Sequence, residues 1–315
     1  MLFFDAHCDI LSRIDTPEAL FSNRFHWDAQ RALSNGPFIQ VFASFAGSRF
    51  RDQPEKVMES QLQKAIVAGN QYPGRLKLIR TAKDLENALK DQSNSKVYGL
   101  LEAEGGEILG GSLEKLDRLY DMGLRVLTLA WNFDNELCDS VAGQSRHNGL
   151  SAFGREVVAR AQELGMLIDV SHCSDKTLED VLLITQKPIT ASHSNARALC
   201  SHPRNLTDDQ IKALARSGGV IGINFYPLFL DNSGNAQFMD IIKHIEYISA
   251  LVGPEHVGLG SDFDGFSGLP HGMNGVEELY KIPEALLRLN YTEAHVKAIA
   301  GENFTRLLMG VLKPA

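Results

Sequence analysis

The sequence has few cysteines and no run of basic residues. Its four cysteines lie in a chain of 315 residues without any C-x-x-C spacing. So few thiols cannot cross-link a chain of this length, so we expect reduced cysteines in a cytoplasmic protein. The 31 basic and 39 acidic residues give a formal net charge of −8. This balance argues against a nucleic-acid or anionic-membrane partner.

Long hydrophobic runs are also absent. No stretch approaches the ~18 apolar residues of a membrane-spanning helix. The first segment, MLFFDAHCDIL, has no basic leader and is interrupted by Asp5 and Asp9, so we do not expect a signal peptide. The last segment, RLLMGVLKPA, is too short and too basic to predict a lipid anchor. We therefore expect no membrane partner.

Strand-like runs alternate with helical patterns along the whole chain, and no Pro/Ser-rich linker divides it. Eight such runs predict an α/β protein with a single (β/α)8 TIM-type barrel over residues 1–315. A doubly wound sheet would also suit the alternation, but polar residues at nearly every strand end favour the barrel. The predicted strands are 2–7, 38–45, 96–104, 125–132, 167–172, 188–194, 220–226 and 256–264.

The segment from 167 to 194 contains two of these strands, LIDVSH and PITASHS, which end in His172 and His193. The helical pattern between them begins with Ser174, a common N-terminal cap. Such strand–helix–strand units place their two strands side by side and parallel. Both histidines are therefore expected at the carboxyl ends of adjacent strands, where α/β proteins form their sites. They are a candidate metal-binding pair.

Two other strands carry candidate metal ligands. His7 and Asp9 share one side of the first strand by alternation, so they can bind one divalent ion together. An isolated H-x-D is more often a structural pair, but two further strand-end histidines reverse that preference. Glu104 precedes two glycines that allow a tight turn, and its two oxygens can bridge two ions. Glu102 lies on the same face of the strand as Glu104. The pattern favours a role in the site and a position in a solvated loop equally for Glu102.

Polar residues near later strand ends suggest further roles. Asp262 can act as a general base, whereas Asp264 is as well suited to capping the following turn. Arg204 is a candidate anion clamp, although a single loop arginine is more often part of a surface ion pair. Tyr226 and Asn132 also end predicted strands and are candidates for substrate contact.

The candidate ligands supply nitrogen and oxygen atoms for two ions that share one carboxylate. Such a set suits two Zn²⁺ ions per chain, with Mn²⁺ or Co²⁺ as alternatives. Paired ions about 3.5–4 Å apart can hold a hydroxide between them and polarise a carbonyl. The pattern therefore predicts hydrolysis of amides or esters without a covalent intermediate.

Five motifs, in order and spacing, resemble the membrane (renal) dipeptidase family in its short bacterial form: DAHCD, EAEGGEILGG, GLSAFGREVVARAQELGMLIDVSH, ASHSNARALCSHPRNL and VGLGSDFDG. The resemblance implies an amidohydrolase-type barrel that hydrolyses dipeptides at a binuclear zinc centre with a bridging hydroxide. It implies that His7 and Asp9 bind the first ion, that Glu104 bridges, and that His172 and His193 bind the second.

The resemblance also implies roles outside the ligand set, and it has one exception. Asp262 matches the acid/base aspartate, and Arg204 matches the arginine that holds the terminal carboxylate of the substrate. Family members such as the animal enzymes have a substrate-contacting histidine after the fourth strand, where this chain has Trp131 and Asn132. Asn132 can donate a hydrogen bond to an oxyanion, but a neutral amide is a weaker electrostatic partner.

Two alternatives remain at this point. The same site can support another amidohydrolase-type reaction, on a D-amino-acyl amide, a lactone or a phosphoester. A catalytically inactive metal-binding barrel is the less favoured alternative, because neither Asp262 nor any ligand has been lost. The sequence also leaves open a monomer or a homodimer.

Overall fold

The computed structural model describes residues 1–91 and 93–314, and parallel strands form its centre. The strands of this described part are β1 (Phe3–Cys8), β2 (Phe38–Ser44), β3 (Leu76–Leu78), β4 (Val97–Glu104), β5 (Leu124–Thr128), β6 (Leu167–Asp169), β7 (Thr190–Ala191), β8 (Val220–Ile223) and β9 (Val257–Leu259). Eight of them close a barrel in the order β1-β2-β4-β5-β6-β7-β8-β9, and β9 pairs again with β1. The prediction of an eight-stranded (β/α)8 barrel is confirmed.

Strand β3 is an addition that the sequence did not predict. It pairs with the beginning of β4, from Val97 to Gly99, whereas β5 pairs with the end of β4. Three residues are too few to show the alternation of a strand, so this segment has no pattern of its own.

Several strands end earlier than predicted, and His172, His193 and Asp262 lie in the loops that follow them. The predicted strand 167–172 ends at Asp169, and the predicted strand 256–264 ends at Leu259. His172 and Asp262 adopt left-handed backbone conformations, with φ of 67° and 60°. Such residues cannot continue a strand, because the chain turns away from the sheet there.

Helices surround the barrel, and most of those predicted are present with capped ends. Ser174 accepts a hydrogen bond from the backbone amide of Thr177, as expected of an N-terminal cap. Gly123 and Gly165 end two other helices in the left-handed conformation. Among the described residues the α-helices are α1 (Ile10–Arg13), α2 (Ala29–Ala32), α3 (Pro54–Gln71), α4 (Ala82–Lys90), α5 (Leu113–Met122), α6 (Ala152–Leu164), α7 (Asp175–Ile184), α8 (Asp208–Arg216), α9 (Pro227–Leu230), α10 (Phe238–Val252), α11 (Lys281–Arg288), α12 (Glu293–Lys297) and α13 (Asn303–Val311).

Side chains fill the interior of the barrel in layers, and the layer at the end covered by α13 is apolar. Phe304 and Leu308 of α13 pack against inward side chains such as Phe4 and Val41, which closes one end of the barrel. The next layer toward the other end contains polar side chains, including Glu102 and Asp169, and the candidate ligands lie above it. None of the helices in the described ranges is long and apolar enough to cross a membrane.

Candidate metal centre and active site

One oxygen of Glu104 lies at the centre of three histidines. Its Oε1 is 2.9 Å from Nε2 of His172, 3.5 Å from Nε2 of His193 and 3.7 Å from Nε2 of His7. Glu104 ends β4 and His7 lies in β1, while the other two histidines follow β6 and β7. Four strands that are distant in sequence thus deliver four ligand side chains to one point.

Asp9 and Asp262 extend this cluster on the side of His7. Asp9 Oδ2 is 3.6 Å from His7 Nε2. Ligand atoms of His7, Asp9 and Asp262 lie within 4.8 Å of one another, as do those of His7, Glu104 and His193. Four of the five predicted ligands therefore lie in two overlapping groups that share His7, and Asp262 completes the second group. The fifth ligand, His172, joins them through its contact with Glu104.

Several ligand atoms in this cluster are buried without a hydrogen-bond partner in the described part of the chain. They are His7 Nε2, His193 Nε2, Asp9 Oδ1 and Glu104 Oε2. Unpaired buried polar atoms are costly, so their convergence requires an explanation. Nitrogen and carboxylate donors facing one small space fit divalent cations such as Zn²⁺.

The charges of the cluster support the same interpretation. Burial raises the pKa of Glu104 well above its ordinary value, and the negative charges of Asp9 and Asp262 raise it further. Burial lowers the pKa values of His172 and His193 well below their ordinary value, which favours the neutral imidazoles that bind metals. Against the effect of burial, the neighbouring carboxylates instead raise the pKa of His7 well above its ordinary value, and a site with so many crowded carboxylates is stabilised by added positive charge.

Asp262 and Asp264 have different surroundings. Asp262 lines the cavity above the ligands, and its Oδ2 accepts a hydrogen bond of 2.9 Å from Asn224 Nδ2. Burial and the charge of Asp9 raise the pKa of Asp262 to about 7. Asp264 instead accepts hydrogen bonds from the backbone amides of His26 and Trp27, at 2.7 and 3.2 Å. Its contacts are those of a residue that holds a loop.

Arg204 lies in the same cavity, which has a volume of about 470 Å³. Its side chain is buried, and Nε and Nη2 have no hydrogen-bond partner among the described residues. The guanidinium carbon is 5.3 Å from the centre of the Phe229 ring. A buried guanidinium with free donors is suited to a carboxylate, which it can bind with two parallel hydrogen bonds.

Aromatic rings form the walls of this cavity, and only Tyr226 was predicted to contact a substrate. The ring of Tyr226 packs 4.8 Å from Phe229 and 5.0 Å from Phe266, measured between centroids. Phe45 and Trp131 form a second wall, with centroids 5.1 Å apart. Their convergence depends on loops after different strands, so local sequence patterns carried no signal of it.

Nearly the whole length of the chain matches one protein family. The family model described as membrane dipeptidase (peptidase family M19) matches residues 1–313. The chain belongs to the membrane dipeptidase family.

Individual relatives agree with this assignment. An uncharacterized dipeptidase of Schizosaccharomyces pombe is 35% identical over 81% of this chain and 63% of its own length. Dipeptidase aclJ of Aspergillus oryzae is 36% identical over 69% of this chain and 52% of its own. The chain thus matches about half to two thirds of the length of these relatives. A metallopeptidase of Rhodobacter sphaeroides, solved with a phosphinate mimic of the dipeptide L-Ala-D-Ala, is 25% identical with a TM-score of 0.88 and covers 99% of both chains.

Asn132, which was predicted to contact the substrate, lines the same cavity. Its Oδ1 lies 3.0 Å from Nδ1 of His172. The amide oxygen is therefore engaged with a candidate ligand, and the amide nitrogen is the group that can donate to a substrate. The prediction that Asn132 contacts the substrate stays a prediction, with this competing contact beside it.

A chain of buried polar side chains beneath the ligands was not recognised from the sequence, apart from the shared face of Glu102 and Glu104. Glu102 is fully buried, so a solvated loop position for it was the wrong alternative. Its Oε1 and Asp169 Oδ2 lie 2.6 and 2.7 Å from the same hydroxyl, Oγ1 of Thr128. The hydroxyl can donate its one proton to only one of these two carboxyl groups at a time. Burial raises the pKa of Glu102.

Proposed function

We propose that the chain is a dipeptidase that hydrolyses the amide bond of dipeptides at a centre of two zinc ions. His7 and Asp9 would hold one ion, His172 and His193 the other, and Glu104 both. The converging unpaired ligand atoms support this assignment, and membership of the membrane dipeptidase family agrees with it. When bound, paired zinc ions lower the pKa of water and polarise a carbonyl group.

Asp262 is the residue that we assign to proton transfer. It faces the same space as the ligands and keeps one carboxylate oxygen in contact with Asn224. Water adds to the carbonyl carbon while its proton passes to Asp262. The same proton then passes to the amide nitrogen as the carbon–nitrogen bond breaks, which releases an amine and leaves Asp262 ionised.

The buried guanidinium of Arg204 is the observation that supports a dipeptide as substrate in preference to a longer peptide. Its Nε and Nη2 have no hydrogen-bond partner among the described residues. It lines the cavity that also contains the ligand cluster, so the two features are within reach of one small substrate. A terminal carboxylate bound by Arg204 then places the preceding amide bond near the ligands. Tyr226 and Asn132 are proposed to contact the rest of the substrate.

Other hydrolytic reactions on this scaffold are less well supported. Some related metal-dependent hydrolases bridge their ions with a carboxylated lysine on a barrel strand. No lysine lines the cavity in the described residues, whereas Glu104, the carboxylate that we propose as the bridge, does. An inactive barrel is disfavoured because the ligand set and Asp262 are complete.

The proposal is tested with free dipeptides and their carboxyl-terminal amides. Arg204→Ala should reduce kcat/KM strongly for dipeptides, by an amount equivalent to about 2–5 kcal/mol, and little for the amides. Equal losses on both substrates would show that Arg204 supports its loop and does not bind the carboxylate. A panel of L-L, L-D and D-D dipeptides, with L-Ala-D-Ala included, measures the stereochemical preference. If the zinc-loaded wild type releases no amino acid from any of these dipeptides, the assignment as a dipeptidase is refuted.

A further inference from the structure

Beneath the candidate metal centre, a continuous series of hydrogen bonds joins two of the ligand histidines. We call it the inner hydrogen-bond chain, and it starts at His7 Nδ1, which is 2.9 Å from Glu102 Oε2. Thr128 Oγ1 connects Glu102 to Asp169. The members of the inner hydrogen-bond chain are, in order, His7, Glu102, Thr128, Asp169, Ser192 and His193.

The second half of this chain leads from Asp169 to the other histidine. Ser192 Oγ donates to Asp169 Oδ2 at 2.6 Å and lies 2.7 Å from His193 Nδ1. Ser192 can accept the proton of that ring nitrogen while it donates its own to Asp169. The exposed fraction of every member is 1% or less, so water does not compete for these contacts.

The barrel places these residues in one layer. Thr128 is opposite Asp169 in the pairing of β5 with β6, and Asp169 is opposite Thr190 in the pairing of β6 with β7. Glu102 is two residues before Glu104, so both point into the barrel from β4. The layer therefore lies immediately below the ligands and spans four neighbouring strands.

The arrangement determines which nitrogen of each ring is free. The Nδ1 atoms of His7 and His193 are both used by the inner chain, and within the described part of the chain their Nε2 atoms have no hydrogen-bond partner. The two rings also stack, with centroids 3.8 Å apart. Histidines that bind metals usually donate their other ring N–H to a carboxylate or similar acceptor, which fixes the tautomer and the ring orientation.

We propose that Glu102, Thr128, Asp169 and Ser192 are positioning residues that act together, holding His7 and His193 as Nε2 ligands of the two ions. Thr128 is the link between the half that contacts His7 and the half that contacts His193. Removal of its hydroxyl should therefore loosen both histidines. This inference rests on the proposed metal centre and adds to it residues that contact neither ion nor substrate.

The test uses Thr128→Val, which has nearly the same shape as threonine and lacks the hydroxyl. We expect its affinity for Zn²⁺, measured by competition with a chromophoric chelator, to fall about 10- to 100-fold. The visible absorption spectrum of the Co²⁺-loaded protein should change as well, because ligand geometry changes. Thr128→Ser keeps the hydroxyl and should restore both properties.

A matched control is available in the same layer. Thr190 is buried, and its hydroxyl donates to the backbone carbonyl of Val220 and not to the inner chain. Thr190→Val should lower the thermal stability and leave metal affinity and the Co²⁺ spectrum unchanged. Asp169 is unsuitable for this test, because its Oδ1 also accepts the backbone amides of Ser171 and Ser192.

The possible outcomes separate this inference from the proposed function. If wild type binds two ions and cleaves dipeptides while Thr128→Val has the same metal affinity and spectrum, the inner chain is only a packing feature. If Thr128→Ser or Thr190→Val loses as much metal affinity as Thr128→Val does, the inference is overturned too. A wild type that binds no ions would overturn the proposed function and the inference with it. If Thr128→Val does not fold, Ser192→Ala decides by the same measurements, since it cuts the chain at His193.

Discussion

Asp262 and Asp264 are two residues apart, and their contacts suggest different roles. Asp262→Asn should leave the ions in place while kcat falls by roughly 10²–10⁴-fold, because the group that transfers the proton is lost. Metal content and kcat are measured on the same preparation. In Asp264→Asn, the side-chain NH₂ would face one of the two backbone N–H groups that donate hydrogen bonds to Asp264. The free energy of unfolding should therefore fall by about 1–3 kcal/mol, while kcat stays nearly unchanged. The opposite pattern would assign proton transfer to Asp264.

Side-chain alternation explains how far the site could be predicted at the level of residues. Glu104 shares its side of β4 with Glu102, as parity predicts, whereas Asp9 was found because it lies just beyond the predicted first strand, and it directly follows β1. Parity does not determine depth, so the burial of Glu102 could not be known. Its partner His7 is 95 positions away in sequence, and Thr128 looks like any strand threonine. The inner hydrogen-bond chain needs the strand register, which the sequence does not contain.

At the scale of secondary structure, the short strand β7 is held where glycines make room for it. The carbonyl oxygen of Ser192 lies so close to Gly222 and Gly260 that a Cβ on either glycine would overlap with it. Gly222 lies within β8, and Gly260 directly follows the adjacent strand β9. The end of β7, and therefore His193, depends on this close approach.

Gly222→Ala should displace the end of β7 and move His193 away from Glu104. Overfilling a packed interior costs about 1–3 kcal/mol of stability, and metal affinity should fall with it. Stability and metal affinity are both measured by thermal unfolding with and without Zn²⁺. Gly310→Ala in α13 is the control, because a Cβ there has no neighbour within 4 Å in the described chain, so stability should be kept or raised. Unchanged metal affinity in Gly222→Ala would show that His193 does not depend on this contact.

At the same scale, the sequence identified the strands better than it identified their ends. Loops begin earlier than the apolar pattern indicates, because His172 and Asp262 need a left-handed backbone that a strand cannot provide. Aspartate and histidine adopt this conformation more often than most residues other than glycine, but both are also common elsewhere, so the residue type alone does not reveal it. The helices were easier, since capping residues such as Ser174 mark where they begin.

At the scale of the whole molecule, the barrel gathers unpaired polar atoms from distant parts of the chain at one end. His7 and Asp262 are more than 250 positions apart in sequence and share one group of ligand atoms. Buried carboxylates without partners destabilise a fold unless they are neutralised. The metal centre and the stability of the barrel are therefore expected to depend on each other.

Removal of the ions with a chelator should lower the Tm by several degrees, and added Zn²⁺ should restore it. Binding to the folded state alone stabilises it by about 4 kcal/mol when the free ion is at roughly 1,000 times its Kd. Glu104→Gln is the matched variant. It should show a smaller metal-dependent shift, because the bridging carboxylate is lost. Its metal-free Tm should be equal to or above that of the metal-free wild type, since a crowded buried charge has been removed. Identical Tm values for chelated and zinc-loaded wild type, measured by calorimetry, would contradict the coupling of metal binding to folding.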